Sequence, residues 1–141
     1  MKIMAIDLGD ARTGIAVCDP TEFLASPLTV IHEKDREILL AKIKELAESE
    51  KAEELVMGYP RNMNGTIGER AVLYEEFAKK LKDITGLPVV LRDERCTTIA
   101  AHSALNVTNT RGKKRKAVVD AVAAVMILED YLGYRRNQRN Q

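Results

Sequence analysis

Residues 1–32 read MKIMAIDLGDARTGIAVCDPTEFLASPLTVIH. Short runs of apolar and β-branched residues alternate here with turn residues, and no helical stripe forms, so the segment predicts three strands over about 2–8, 13–18 and 26–31. The sequence LGDAR sets Gly9 where the chain must reverse, which joins the first two strands as a hairpin and makes the start of the sheet antiparallel.

From Asp35 to about Ser49 the pattern changes, with Ile38, Leu39, Ile43, Leu46 and Ala47 set between Glu and Lys as the apolar stripe of a helix. ELVMG at 54–58 is a compact apolar run that fits a buried strand, and the polar stretch YPRNMNGTIG follows as a loop. A second helix is predicted over about 68–84, with Leu73, Phe77 and Leu81 at four-residue intervals and a stop near Gly86 ahead of Pro88. PVVLRD is the next strand, and Thr97 or Thr98 can cap a short helix through about Asn106. VTNTRGKKR at 107–115 reads as a basic loop. The last helix, about 116–132, is apolar from Ala117 to Leu128 except at Asp120, so most of its faces must be covered, and the tail GYRRNQRNQ reads as polar and frayed. Three antiparallel strands followed by two strands that alternate with helices define an α/β class: a mixed five-stranded sheet flanked by helices, with the first strand beside 54–58 at its centre. No repeat or linker divides the chain, so residues 1–133 are expected to form a single domain and 134–141 a polar basic tail.

The 141 residues suit one domain with a real core, and 45% hydrophobic with 30% charged residues argues against global disorder. Asp7 interrupts the stretch in which a signal peptide needs an unbroken apolar run, and no segment approaches the ~18 uncharged apolar residues of a membrane span. A cytoplasmic protein with no membrane partner is therefore expected. Cys18 and Cys96 have no CxxC spacing, which suggests buried reduced thiols in place of a zinc site or a disulfide. Neither GxxxxGK[ST] nor GxGxxG occurs, which removes the usual P-loop and dinucleotide readings, and His32 and His102 lack ligand spacing. Charge is uneven: residues 1–110 carry 14 basic against 18 acidic side chains, residues 111–141 eight against three. Such an asymmetry points to a polyanionic partner at the C-terminal end.

Three acids stand at the end or side of elements expected to be buried. Asp7 ends Ile3, Met4, Ala5, Ile6; Glu94 follows PVVLRD; Asp120 interrupts the apolar helix. Carboxylates withdrawn from water need a partner or a metal, and oxygen donors select hard ions such as Mg²⁺ or Mn²⁺. Each has a plainer alternative. Asp7 can be a turn residue bonding its own backbone. Asp120 in a first helical turn is favoured by the macrodipole at ~0.3–1 kcal/mol. Glu94 between Asp93 and Arg95 can belong to a solvated charge cluster. The run RGKKRK at 111–116, a solvated loop on the plain reading, would otherwise hold phosphates close to Asp120.

These motifs taken together resemble the YqgF (RuvX-like) family, whose members are provisionally described as pre-16S rRNA nucleases or Holliday junction resolvases with an RNase H-like fold. The likeness spans about residues 2–133, through AIDLGDARTGIAVCD, GYPRNMNG at 58–65, DERCTT at 93–98 and VVDAVAAVMILEDYL at 118–132. It implies catalytic, metal-holding roles for Asp7, Glu94 and Asp120, with Asp93 as a supporting acid. The implied chemistry is two-metal hydrolysis, Asp7 bridging two cations while Glu94 and Asp120 each complete one coordination sphere. Arg12, Arg95, Arg111, Lys113, Lys114, Arg115 and Lys116 are candidates for holding phosphates. Departures from the family pattern fall at Ala11, Arg61, Asn64 and Cys96, away from the three acids.

The function expected from this reading is metal-dependent hydrolysis of phosphodiester bonds, processing the 5′ end of pre-16S rRNA in ribosome biogenesis. Its partners would be structured RNA or branched DNA. Holliday junction cleavage in recombination or repair is the alternative and would call for a symmetric pair of sites, hence a homodimer in place of a monomer. A non-catalytic, nucleic-acid-binding assembly factor is a rival of another class. A phosphotransferase is disfavoured because 141 residues offer no second lobe. Two Phe, four Tyr and no Trp make backbone phosphate contacts, not base stacking, the expected mode of binding, with strong salt dependence.

Overall fold

The computed structural model of the chain describes residues 1–59, 69–93 and 112–139. The opening segment forms β1 (Ile3–Asp7), β2 (Arg12–Cys18) and β3 (Ala25–His32), and α1 (Arg36–Ser49) follows. Then come β4 (Glu54–Tyr59), α2 (Glu69–Thr85), β5 (Val89–Asp93) and α3 (Gly112–Arg139). Asp35 is the N-cap of α1, its carboxylate accepting from the amides of Glu37 and Ile38 at 2.9 and 3.2 Å, which satisfies donors the first turn leaves unpaired. α2 stops at Gly86, whose φ of 70° suits a residue without a Cβ, and the Gly86 amide donates to Lys82 O at 2.9 Å.

The five strands lie in the order β3-β2-β1-β4-β5. β1 pairs antiparallel with β2 and parallel with β4, and β4 pairs parallel with β5, so β1 is central as expected. Its residues alternate between two cores. Met4, Ile6 and Leu8 pack with Leu55, Met57 and Tyr59 under α1 and α2. Ile3 and Ala5 pack with Ala16, Cys18 and Val56 under α3. Burial on both faces explains why β1 reads as a continuous apolar run.

Three expectations change. The buried stripe of α2 is Ala71, Tyr74, Phe77, Ala78 and Leu81, whereas Leu73 is 62% exposed. A four-residue interval alone leaves the phase of the stripe undecided, and Leu73 falls one position off it. Ile38 of α1 is likewise exposed. Most extensively, α3 begins at Gly112 and runs to Arg139, so residues 112–115 of the expected basic loop and 133–139 of the expected tail are helical. Helix-forming Lys and Arg at both ends carry the pattern past the apolar centre. No described residue from Val122 to Leu128 is exposed, in line with the covered helix expected there. The expected helix over 97–106 lies outside the described residues. No helix among the described residues is long and apolar enough to cross a membrane.

Candidate active site at the carboxyl edge of the sheet

The three parallel strands β1, β4 and β5 end together, at Asp7, Tyr59 and Asp93. Ile6 is level with Met57, Gly58 with Arg92, and Tyr59 with Asp93. Ligands of open α/β sheets bind outside this carboxyl edge, where strand ends deliver side chains that no further ladder covers. Side chains of a strand alternate, so Asp7 shares the face of Ile3 and Ala5, the face that α3 covers. Its backbone is still in register with Gly14 of β2.

Directly beyond Asp7 the chain turns through residues 8–11 into β2. Space, not φ, requires glycine at position 9, because a Cβ there would overlap the carbonyl oxygen of Arg12. The turn is held from three directions. Tyr74 Oη of α2 donates to Leu8 O. Arg36 Nη1 of α1 donates to Gly9 O at 2.9 Å, while its Nη2 stands 3.8 Å from Asp10 Oδ1. The Glu33 amide donates to Ala11 O at 3.1 Å. Arg12 opens β2 opposite His32 of β3, which puts this cation on the same edge as Asp7.

The amino edge of the sheet is built differently. Glu22 and Glu54 are buried there and both meet Arg135, whose Nε lies 2.5 Å from Glu22 Oε1 and whose Nη1 lies 3.7 Å from Glu54 Oε2. Tyr131 Oη donates to Glu54 Oε2 at 3.0 Å. The Arg135 guanidinium holds the Glu22 carboxyl below the usual carboxylate range against the opposing pull of burial. Burial first, then the hydrogen bond to Glu54, pushes the Tyr131 hydroxyl up. Fully paired buried charges of this kind fasten α3 to the strands and leave no group poised for chemistry.

A family model described as "RuvX: Holliday junction resolvase" matches residues 1–134. The chain belongs to this family. A relative from Desulfitobacterium hafniense, provisionally named a pre-16S rRNA nuclease, is 41% identical over 141 residues, covering 100% of this chain and 98% of the relative. One of the same name from Carboxydothermus hydrogenoformans is 41% identical over 135 residues, covering 96% and 98%. Thermus thermophilus RuvC, solved in complex with a Holliday junction substrate, superposes with a TM-score of 0.64 at 16% identity, covering 97% of this chain and 96% of that one. At that identity the likeness speaks for the fold, and it is the RNase H-like fold expected from the sequence. A RuvX-family chain thus belongs among nucleases and resolvases, hydrolases of phosphodiester bonds.

Of the three acids expected from the sequence to hold metal, Asp7 stands at the carboxyl edge, on the α3 face. Glu94 lies outside the described residues, immediately after the last residue of β5. Asp120 lies in α3, with its side chain outside those described. It is the ninth residue of the helix, and the first turn holds no acidic residue. The macrodipole acts within about the first turn, so the alternative explanation of Asp120 as a first-turn acid is removed. Among the described residues no three His, Cys, Asp or Glu side chains are grouped to hold a metal. Of the basic candidates, Arg12 is on the site's edge, Lys113, Lys114, Arg115 and Lys116 belong to the start of α3 and not to a loop, and Arg95 and Arg111 lie outside the described residues. Tyr74 and Arg36 were not singled out by sequence. The signal that could have found Tyr74 is the alternative stripe 71, 74, 78, 81 of α2, which places a tyrosine hydroxyl inside the core.

Proposed function

We propose that this chain is a divalent-cation-dependent nuclease that acts on the 5′ end of pre-16S rRNA, with Asp7, Glu94 and Asp120 as its catalytic acids. The observation that carries the reading is the position of Asp7: last residue of the central strand, at the carboxyl edge of three parallel strands, on the face that α3 covers. Two further features support it. Glu94 follows β5, two strands from β1, a separation of ~10 Å that two acidic side chains reaching inward can close. Tyr131 and Arg135 tie the C-terminal half of α3 to the amino edge of the sheet, so the helix runs back toward the carboxyl edge, and position 120 falls on the buried stripe of Ala123, Ala124, Ile127, Leu128 and Tyr131. Eleven residues of helix from Tyr131 to Asp120 span ~16 Å, and four of strand from Ile3, the partner of Glu54, to Asp7 span ~13 Å.

An all-carboxylate donor set fits Mg²⁺ or Mn²⁺ and disfavours softer metals. A pair of such cations, bound with substrate, supplies an activated water and offsets charge at the leaving oxygen. The chain's own part is to hold acids and bind phosphates. Lys113, Lys114, Arg115 and Lys116 sit at the N-terminal end of α3, where positive charge opposes the macrodipole and backbone amides lack helical partners. A phosphodiester reverses both costs at once, which favours a polyanion at this end. Arg12, at the carboxyl edge, and Arg95 and Arg111, outside the described residues, are further candidates for holding phosphates, and contacts of this type weaken steeply with salt.

Asp7→Asn tests the reading. It removes one charge while keeping shape, so Mn²⁺-dependent cleavage of a precursor 16S rRNA fragment is expected to vanish with the melting temperature unchanged or higher. Undiminished cleavage removes Asp7 from the mechanism. A four-way DNA junction run in parallel separates the substrates: cleavage of the junction alone, with normal 16S 5′ ends in depleted cells, overturns the rRNA assignment.

A further inference from the structure

We infer that Tyr74 and Arg36 are positioning residues that hold the Asp7 carboxylate ready for a divalent cation, from the face of the sheet opposite to it; this rests on the reading of Asp7 given above. Asp7 is anchored on one side by its ladder partner Gly14. On the other side the chain leaves the sheet, and a turn of this kind would ordinarily be free to move. Here the two carbonyls that follow Asp7 are both taken by side chains from separate helices, Leu8 O by Tyr74 Oη and Gly9 O by Arg36 Nη1. Both donors are themselves constrained. Tyr74 is buried within the core between the sheet and α1 and α2. The Arg36 guanidinium lies over the Phe77 ring, 5.9 Å from its centroid, with its second nitrogen beside Asp10.

Two consequences follow for Asp7. Side chains alternate along the strand, so Leu8 points into the α1–α2 core while Asp7 points to the α3 face, and fixing one orients the other. Backbone carbonyls are themselves good ligands for hard cations. Holding those of Leu8 and Gly9 toward α1 and α2 turns them away from the face on which the Asp7 carboxylate lies. Neither Tyr74 nor Arg36 needs to touch cation or substrate for this. Outer partners that orient a ligand are commonly worth ~10–100-fold in metal affinity or activity.

The test uses the full-length protein and its Tyr74→Phe, Arg36→Met and Asp7→Asn variants. Mn²⁺ affinity is read from the electron paramagnetic resonance signal of free Mn²⁺, and amide hydrogen exchange at residues 9–12 is followed without metal. Tyr74→Phe and Arg36→Met are each expected to weaken Mn²⁺ about tenfold, to speed exchange in the turn, and to lower kcat at fixed Mn²⁺ with KM for RNA unchanged. Thermal melts identify any variant that fails to fold, and Arg36→Lys, which keeps one charged donor, should recover part of the affinity. Wild-type Mn²⁺ affinity in folded Tyr74→Phe and Arg36→Met, with affinity lost in Asp7→Asn, overturns the positioning role and leaves the cation reading standing. Wild-type affinity in Asp7→Asn overturns both.

Discussion

Replacing Arg135 by Met should cost about 3 kcal/mol at neutral pH, and the cost should shrink as the pH falls. Arg135 is the common cation of two carboxylates: Glu22, with 6% of its side chain exposed, and Glu54, with 12%. Removing one member of a buried pair typically costs ~3–5 kcal/mol, because the remaining charge loses both its partner and water. The lower end applies here, since the guanidinium itself keeps 27% exposure and part of its hydration. Met preserves the apolar stem of the side chain, so the loss reports the charge. In a domain of this size the change corresponds to a melting temperature lower by roughly 10 °C. The sign of the pH dependence follows from Glu22, whose carboxyl Arg135 holds below its usual range. A depressed folded value contributes stability that is complete above the unfolded value of about 4.3 and is lost as pH falls through the folded one. The wild type loses this increment on acidification. The variant keeps only the part owed to the N-terminal ammonium, 3.3 Å from Glu22 Oε2, so the difference between them narrows as the pH falls from 7 to below the unfolded value. Urea titrations of both proteins across that range measure it. A loss under about 1 kcal/mol at pH 7, or an unchanged difference at low pH, would refute the reasoning. Cleavage below the melting transition should be retained, because Arg135 lies at the edge of the sheet opposite to Asp7.

The phase of α2 can be read by paired truncations: Leu81→Ala, at a fully buried position, should cost ~2–5 kcal/mol, and Leu73→Ala less than about 0.5 kcal/mol, with equal losses contradicting the observed stripe. Asp19 should titrate at about 2 by NMR, because the Leu24 amide, then the Thr21 hydroxyl and the Phe23 amide, donate to its carboxylate. The contact is then intact above an unfolded value of about 3.9 and is lost as pH falls toward 2, so an ordinary carboxylate value would show that the turn is open in solution. Burial pushes the Cys18 thiol up, so in a Cys96→Ser protein it should react with a thiol reagent at neutral pH only when urea opens the fold. Rapid labelling of the native protein would contradict that burial.

Much of the architecture was legible in advance because its signals are local. A two-residue period, a Gly9 turn and an Asp35 cap are set by neighbours within a few positions, and the observed strands and first two helices start and stop within about two residues of their expected ends. Two features were not local. The apolar pattern ends before α3 does, and its last turns carry Arg135, whose partners Glu22 and Glu54 lie far earlier in the chain. In α2, Phe77 and Leu81 were placed correctly, but the stripe passes through Tyr74 in place of Leu73, and the Tyr74 hydroxyl donates to Leu8 O, a partner 66 residues away.

By itself, then, the sequence determined the elements, their order, the mixed sheet and the family, and it singled out Asp7, Glu94 and Asp120 as candidate acids, each with a plainer alternative beside it. Only the tertiary structure decided that Asp7 faces α3, that position 120 is too deep in its helix for the macrodipole to explain, and that two helices grip the turn behind Asp7. Periodicity reports which residues leave water. It carries no information on which distant backbone oxygen a buried hydroxyl or guanidinium will meet, because that depends on how whole elements pack.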